Sequence, residues 1–315
     1  MRSIWLPDGT DVASRFRGKG DEFRELVDAL IHAEVQLAGL ATTVVLRNDH
    51  DFHSDGGVDT QVKSSIAPST TGLFAGPTIW QFRAKEWRKE TGTASVRATL
   101  KRSAYLRKCS RGGSLLRFCL PTAKPAEDVE KATTVLRSEL RAQRIRRSVA
   151  DEAQVLDGNK LAAWIAKFPG IVRHFFLPPE YVGVQCLAEF AKDVRHHVPI
   201  YVPIAAWDAY RDLILRHSDL ASNTPADPVL RIAGLPGVGK TRFVAEALCT
   251  RLDALRGFIV CTRDEERAAA VAHHLAADTN VHAILVADEC FDAGRNVLRR
   301  ILAPHSDRVR VLAMD

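Results

Sequence analysis

The chain has 315 residues, 46% of them hydrophobic and 26% charged, with a formal net charge of +6; this is room for two ordinary domains with a core in each, and it excludes a chain that is mainly disordered. No run of 18 apolar residues occurs, and the opening residues carry an early Pro and Asp with no apolar stretch ahead of a cleavage site, so neither a membrane nor a secretory route is expected. Six scattered cysteines without CxxC or His/Cys zinc spacing fit reduced thiols used as small hydrophobes, in a cytoplasmic protein.

In chain order, residues 21–39 read as an amphipathic helix, with Phe23, Leu26, Val27, Leu30 and Ile31 on one stripe and Gly39 as its stop. ATTVVLR reads as a strand, NDHDFHSDGG as a polar turn, and VDTQVK and PTIWQFRA as two further strands flanking a loop. A basic helical segment near 95–109, a strand GGSLLRFCL and a long helix AEDVEKATTVLRSELRAQRIRRS complete a first α/β module over about residues 15–150. Lys101, Arg102, Arg107, Lys108, Arg111 and Arg117 follow one another with no acid between them, and Arg141, Arg144, Arg146 and Arg147 come later. Such a stretch suits phosphate contacts or a plain solvated face.

Residues 151–224 hold helical pieces around Trp164, which reads as core, and at AAWDAYRDLILRH, ending in the proline-bearing SNTPADP. This stretch is expected to be a mainly helical connector. From 225 to 315 the order is regular: PVLRIAG, GFIVCT, VHAILVADE and RVRVLAMD are strands that alternate with helices, which implies a parallel sheet with helices on both faces.

Between the first of those strands and its helix, Gly234 to Thr241 match GxxxxGK[ST] in full. Gly234, Gly237 and Gly239 let the loop wrap phosphates with its N–H groups, Lys240 reaches the β and γ phosphates, and Thr241 offers a hydroxyl to Mg²⁺. An apolar strand closes on Asp288, placed for the Mg²⁺ shell, and on Glu289, placed to polarise an attacking water. ATP and Mg²⁺ are therefore the expected ligands. In the first module, an acid that holds a divalent cation and a basic group near the scissile phosphate are what nuclease chemistry needs. Asp59 on one strand, with Gln81 and Arg83 on one face of another, can meet that need.

GLPGVGKTRFVAEAL with ILVADE resembles the NTPase core of the STAND and AAA-like class over residues 225–315. The resemblance implies a signal-transducing ATPase in which ATP exchange drives assembly of several copies, with a C-terminal sensor, here one for a phage-derived trigger. The chain stops at its fourth strand of this series, before any lid, further strand or arginine finger, so a truncated form or a piece of a longer protein is expected.

The first module resembles the PD-(D/E)xK restriction-endonuclease-like fold in its QxK variant, as found fused to STAND ATPases in anti-phage defence. That resemblance implies cleavage of double-stranded DNA with Asp59 as metal ligand, Glu25 or Glu22 as the metal-supporting glutamate, and Gln81 in the second half of the motif. Where the family has lysine this chain has Arg83, with Lys85 or Lys63 as substitutes; arginine steadies charge but does not serve as a base. The expectation is an ATP-governed DNA endonuclease. The alternatives are an ATP-switched assembly or nucleic-acid-binding protein with an inactive nuclease fold, and an ATPase subunit of a restriction complex.

Overall fold

The computed structural model describes residues 6–39, 42–47, 57–62, 73–74, 76–84, 100, 103–177, 183–197, 201–221 and 225–315, with backbone alone at 42–47, 57–62 and 105. The chain is α/β and divides into two units, residues 6–164 and 165–315.

In the first unit, α1 (Gly9–Phe16) starts at a reciprocal cap: the Asp8 carboxylate accepts from the Asp11 N–H and Asp11 returns the bond to Asp8, each at 2.8 Å. The apolar stripe of α2 (Gly20–Leu37) is buried as its spacing requires. Strands β1 (Thr42–Arg47), β2 (Gly57–Val62) and β3 (Thr78–Phe82) form an antiparallel meander. Helix α3 (Ala104–Arg111) then leads to β4 (Leu115–Cys119), parallel to β3. Helices α4 (Ala126–Ala142) and α5 (Arg147–Asp151) precede β5 (Gln154–Leu156), parallel to β4, and α6 (Gly158–Ile165). The sheet order is β1-β2-β3-β4-β5.

The two faces of this sheet are filled differently. Phe82 meets Phe23 of α2 edge-on at 6.4 Å, and Trp80 stacks on Trp164 at 5.5 Å, whose indole donates to Glu34 at 3.1 Å. Alternation turns Ile79 the other way, into a core with Leu116, Phe118 and the α4 residues Val129, Ala132 and Leu136.

The long helix expected over 126–148 ends at Ala142. Arg144 takes a left-handed φ of 61°, its N–H bonds Arg141 O at 2.9 Å, and Ile145 N–H bonds Leu140 O at 3.2 Å while Ile145 joins the core. This is the double C-terminal bond pattern of a Schellman stop with arginine where glycine is usual. No glycine or asparagine marks it in the sequence.

In the second unit the elements are α7 (Pro169–Phe175), β6 (Val184–Cys186), α8 (Leu187–His197), α9 (Asp208–His217), β7 (Val229–Ile232), α10 (Lys240–Cys249), the short α11 (Leu252–Leu255), β8 (Ile259–Thr262), α12 (Glu265–Ala277), β9 (Ala283–Ala287), α13 (Asp292–Leu302) and β10 (Val309–Met314). The sheet order is β6-β8-β9-β10-β7, parallel except for β6. Every residue of β9 and β10 is buried, as central strands of a covered parallel sheet must be.

The 151–224 stretch is thus not a layer of its own. It gives β5 to the first sheet and β6 to the second; QVL and VQC are too short for a period to show.

Four of the six free thiols, at Cys119, Cys186, Cys261 and Cys290, are buried, and Cys109 and Cys249 are half-buried. Burial pushes Cys186 and Cys290 up to about 11. Among the described residues no helix is long and apolar enough to cross a membrane.

Candidate functional site

Strand β7 hands the chain to a loop, residues 233–239, whose glycines are required by backbone geometry. Gly237 and Gly239 stand at φ 77° and 90°, a region that costs other L residues about 1–2 kcal/mol each. Gly239 is the N-cap of α10 and brings no side chain to its first N–H groups, so these donors face the loop. Lys240, the first residue of that helix, folds its ammonium back to Gly234 O at 2.7 Å and Leu235 O at 3.2 Å. The lysine thus lies along the loop that would hold phosphates.

The most informative contact links residues 47 positions apart. Thr241 Oγ1 lies 3.2 Å and 3.1 Å from the two carboxylate oxygens of Asp288 at the carboxyl end of β9. Parallel pairing sets this up, because β7 and β9 both flank β10 and end on the same side of the sheet. A hydroxyl beside a carboxylate is a hard-oxygen pair of the kind Mg²⁺ takes, so Thr241 and Asp288 fit that ion.

Glu289 is exposed and has a left-handed φ of 49°. Its neighbours are tied down: Asp288 N–H bonds Thr262 O at 3.0 Å, and Cys290 N–H bonds Met314 O at 2.7 Å. The turn between β9 and α13 is therefore anchored to the strands on both sides of β9. Such backbone strain is retained where surrounding bonds over-determine it.

Beside the loop lies an apolar groove of about 440 Å³ lined by Trp207, Tyr210, Ile232, Val238 and Phe243 among others. Trp207 meets Phe243 edge-on at 5.3 Å, and Tyr210 is 62% exposed, so an aromatic wall opens to solvent there. In the sequence, AAWDAYRDLILRH reads as a helix, and its two aromatics three residues apart, Trp207 and Tyr210, are the signal for this groove. Arg242 ion-pairs with Glu246 at 2.9 Å and lies over Tyr201 at 5.7 Å. Asp315 binds Arg231 at 2.7 Å and the buried Arg295 at 3.0 Å. Burial works to raise the Asp315 carboxyl, but bonds from the two arginines outweigh it and hold it below the usual value.

In the first unit, Asp59 pairs in register with Ile79, and Gly57 with Gln81. Positions 59, 79 and 81 therefore share one face of the sheet. Gln81 is 1% exposed and donates to Phe82 O at 3.2 Å, under the face covered by α4. Arg83 is half-buried, with its N–H on Cys119 O at 3.1 Å. Lys85 and Lys63 lie outside the described residues.

Glu25 is exposed on α2, the helix over the opposite face from Gln81. Glu22 sits nearer the end of β3, because Gly18 just ahead of α2 donates to Ala84 O at 2.9 Å. Its carboxylate pairs with Arg15 and, at 3.6 Å, with Lys19. Among the described residues no group of three or more His, Cys, Asp or Glu stands ready for a metal.

The basic stretch is corrected in one place. Arg117 is fully buried in β4, donating to Leu73 O at 3.2 Å and to Glu152 O, and burial brings its guanidinium down to about 10. It cannot touch a phosphate. Arg107 is half-buried on Leu100 O at 2.9 Å, Lys108 and Arg111 are exposed, and Lys101 and Arg102 lie outside the described residues. Arg141 and Arg147 share Asp151, while Arg144 and Arg146 are exposed.

Compared with protein-family models, curated proteins and solved structures, the chain finds no match in any of the three.

Proposed function

We propose that the 165–315 unit binds ATP with Mg²⁺ and hydrolyses it, and that it governs a DNA-handling first unit. The observation that carries the nucleotide reading is Thr241 Oγ1 at 3.1–3.2 Å from both oxygens of Asp288, next to a loop with two left-handed glycines. Mg²⁺, when bound, would supply charge neutralisation for the triphosphate. Thr241 and Asp288 would hold it, Lys240 would leave the loop carbonyls for the phosphates, and the aromatic groove would take the base. Glu289 would receive a proton from the attacking water as the bond from the γ-phosphorus to its bridging oxygen breaks.

Calorimetric titration with ATP and Mg²⁺ tests this. Lys240→Ala should weaken binding by about 1.5–3 kcal/mol, the range for hydrogen bonds to charged groups, while Glu289→Gln should keep binding and lose turnover. Unchanged affinity in folded Lys240→Ala protein would remove the assignment.

For the first unit, the meander, the helix and the parallel fourth strand, with positions 59 and 81 on one face, support a restriction-endonuclease-like domain that engages double-stranded DNA. The binding-only alternative is favoured by two observations: Arg83 stands where a lysine is needed, and Gln81 is buried at 1% exposure. Plasmid nicking in Mg²⁺ or Mn²⁺ separates them. Cleavage abolished by Asp59→Ala supports the nuclease, and duplex binding without any nicking supports the alternative.

A further inference from the structure

Glu289 does not hold its left-handed backbone by itself, and one buried cation stands directly behind it. Arg295, in the first turns of α13, is 2% exposed. Its guanidinium donates to Cys290 O at 2.8 Å and to Asp315 Oδ2 at 3.0 Å, and it also pairs with Asp292. The same Cys290 gives its N–H to Met314 O at 2.7 Å. Both polar groups of the residue after Glu289 are therefore committed, one to the end of β10 and one to Arg295. On the other side Asp288 is tied to Thr262. Between two pinned neighbours, residue 289 has little freedom to leave φ 49°.

A buried arginine is costly to desolvate and needs its donors used. Here they are used on a turn that carries two acids of the candidate site, with Asp315 as counter-charge at the end of the neighbouring strand. Both bonds come from one nitrogen, Nη1, which the rigid, buried guanidinium plane holds between the carbonyl and the carboxylate; a lysine at 295 would carry its ammonium on a flexible stem with no such plane.

From this geometry we infer that Arg295 is a positioning residue for nucleotide hydrolysis: it fixes the 288–291 turn so that the Glu289 carboxylate is held over the attacking water, and it takes no part in binding the nucleotide. The inference rests on the reading of Glu289 as the base. It implies a division of labour in which the loop, Thr241 and Asp288 set affinity while Arg295 acts on turnover alone.

The test is steady-state ATP hydrolysis with Mg²⁺, run beside calorimetric ATP affinity, on wild type, Arg295→Lys, Asp315→Asn and Asp292→Ala. Arg295→Lys should lower kcat by about 10- to 100-fold, the scale of a small misplacement of a catalytic group, with ATP affinity within about threefold. Asp315→Asn loosens the clamp from its far side and should lower kcat by less, so that the test does not hang on one variant. Asp292→Ala removes a contact whose own side chain is 85% exposed and should stay within about twofold, as exposed ion pairs usually do. A structural role alone would also lower turnover in proportion to folded protein; the residual rate of Glu289→Gln distinguishes the two, because adding Arg295→Lys to it should cost nothing further.

Equal kcat in wild type and Arg295→Lys, or parallel losses of kcat and ATP affinity, would overturn the inference and leave the nucleotide reading intact. Wild-type protein that binds ATP but never turns it over would overturn the inference too. Wild-type protein that binds no ATP would overturn both.

Discussion

The two units present their candidate residues in opposite ways. In the 165–315 unit, a continuous loop meets an acid 47 positions from Thr241 because parallel strands end together, and the groups concerned are at least partly open to solvent. In the 6–164 unit, register brings positions 59 and 81 to one face, but Gln81 is sealed under a helix and Glu25 is exposed on the helix over the other face. A site written into backbone geometry survives with few side chains in play. One assembled from several elements depends on how each is packed.

The largest expected effect comes from breaking the packing of the first unit alone. Trp80→Ala removes a buried indole stacked on Trp164 and hydrogen-bonded to Thr78 at 2.9 Å, and should cost about 3–5 kcal/mol. Denaturant unfolding should show it, while ATP affinity of the second unit is unchanged below that transition; affinity lost in step would mean the two regions are not independent.

Next is Arg117→Ala. It withdraws buried donors from Leu73 O and Glu152 O and should cost about 1–3 kcal/mol without altering the salt dependence of DNA binding. Lys108→Gln with Arg111→Gln should do the reverse: melting unchanged, and the slope of log affinity against log salt reduced by about 2 if both reach phosphates. A slope that follows Arg117 instead would contradict its burial.

Gly239→Ala should cost about 1–2 kcal/mol, because the residue must hold φ 90°, and should weaken ATP binding more than it lowers the melting temperature.

The smallest effect is a pH dependence confined to the second unit. His217 is pushed below its usual value by burial, which outweighs the favourable bonds to Pro228 O and Val311 O, with Arg310 adding to the depression. A depressed pKa means the unfolded chain binds the proton more readily. Stability is therefore full above the unfolded value near 6.5 and falls as pH drops through that value toward the folded one. Melting curves between pH 7.5 and 5 should show this slope, on the order of one proton, and His217→Asn should flatten it.

Much of the fold was legible where residues act locally. TIWQF, rich in β-branched and aromatic residues, yields β3, and the all-apolar AILVA yields a central strand. The glycine loop was legible because its requirements are met within eight consecutive residues. What stayed hidden depends on partners distant in sequence. Arg117 reads as surface charge until Leu73 and Glu152 enclose it, and Glu22 and Glu25 are equivalent on paper until the Gly18–Ala84 bond sets the helix against β3. The role of Arg295 depends on Asp315, twenty residues on.

The distribution of thiols gives the protein a chemical handle. Cys119, Cys186, Cys261 and Cys290 are shut away and burial holds each of them protonated, so alkylating reagents meet Cys109 in the first unit and Cys249 in the second. Burial also raises Cys249. The unaltered chain can therefore carry one dye on each unit. Cys249 closes the helix that begins at Lys240, so energy transfer between the dyes would report nucleotide-linked movement without any engineered cysteine.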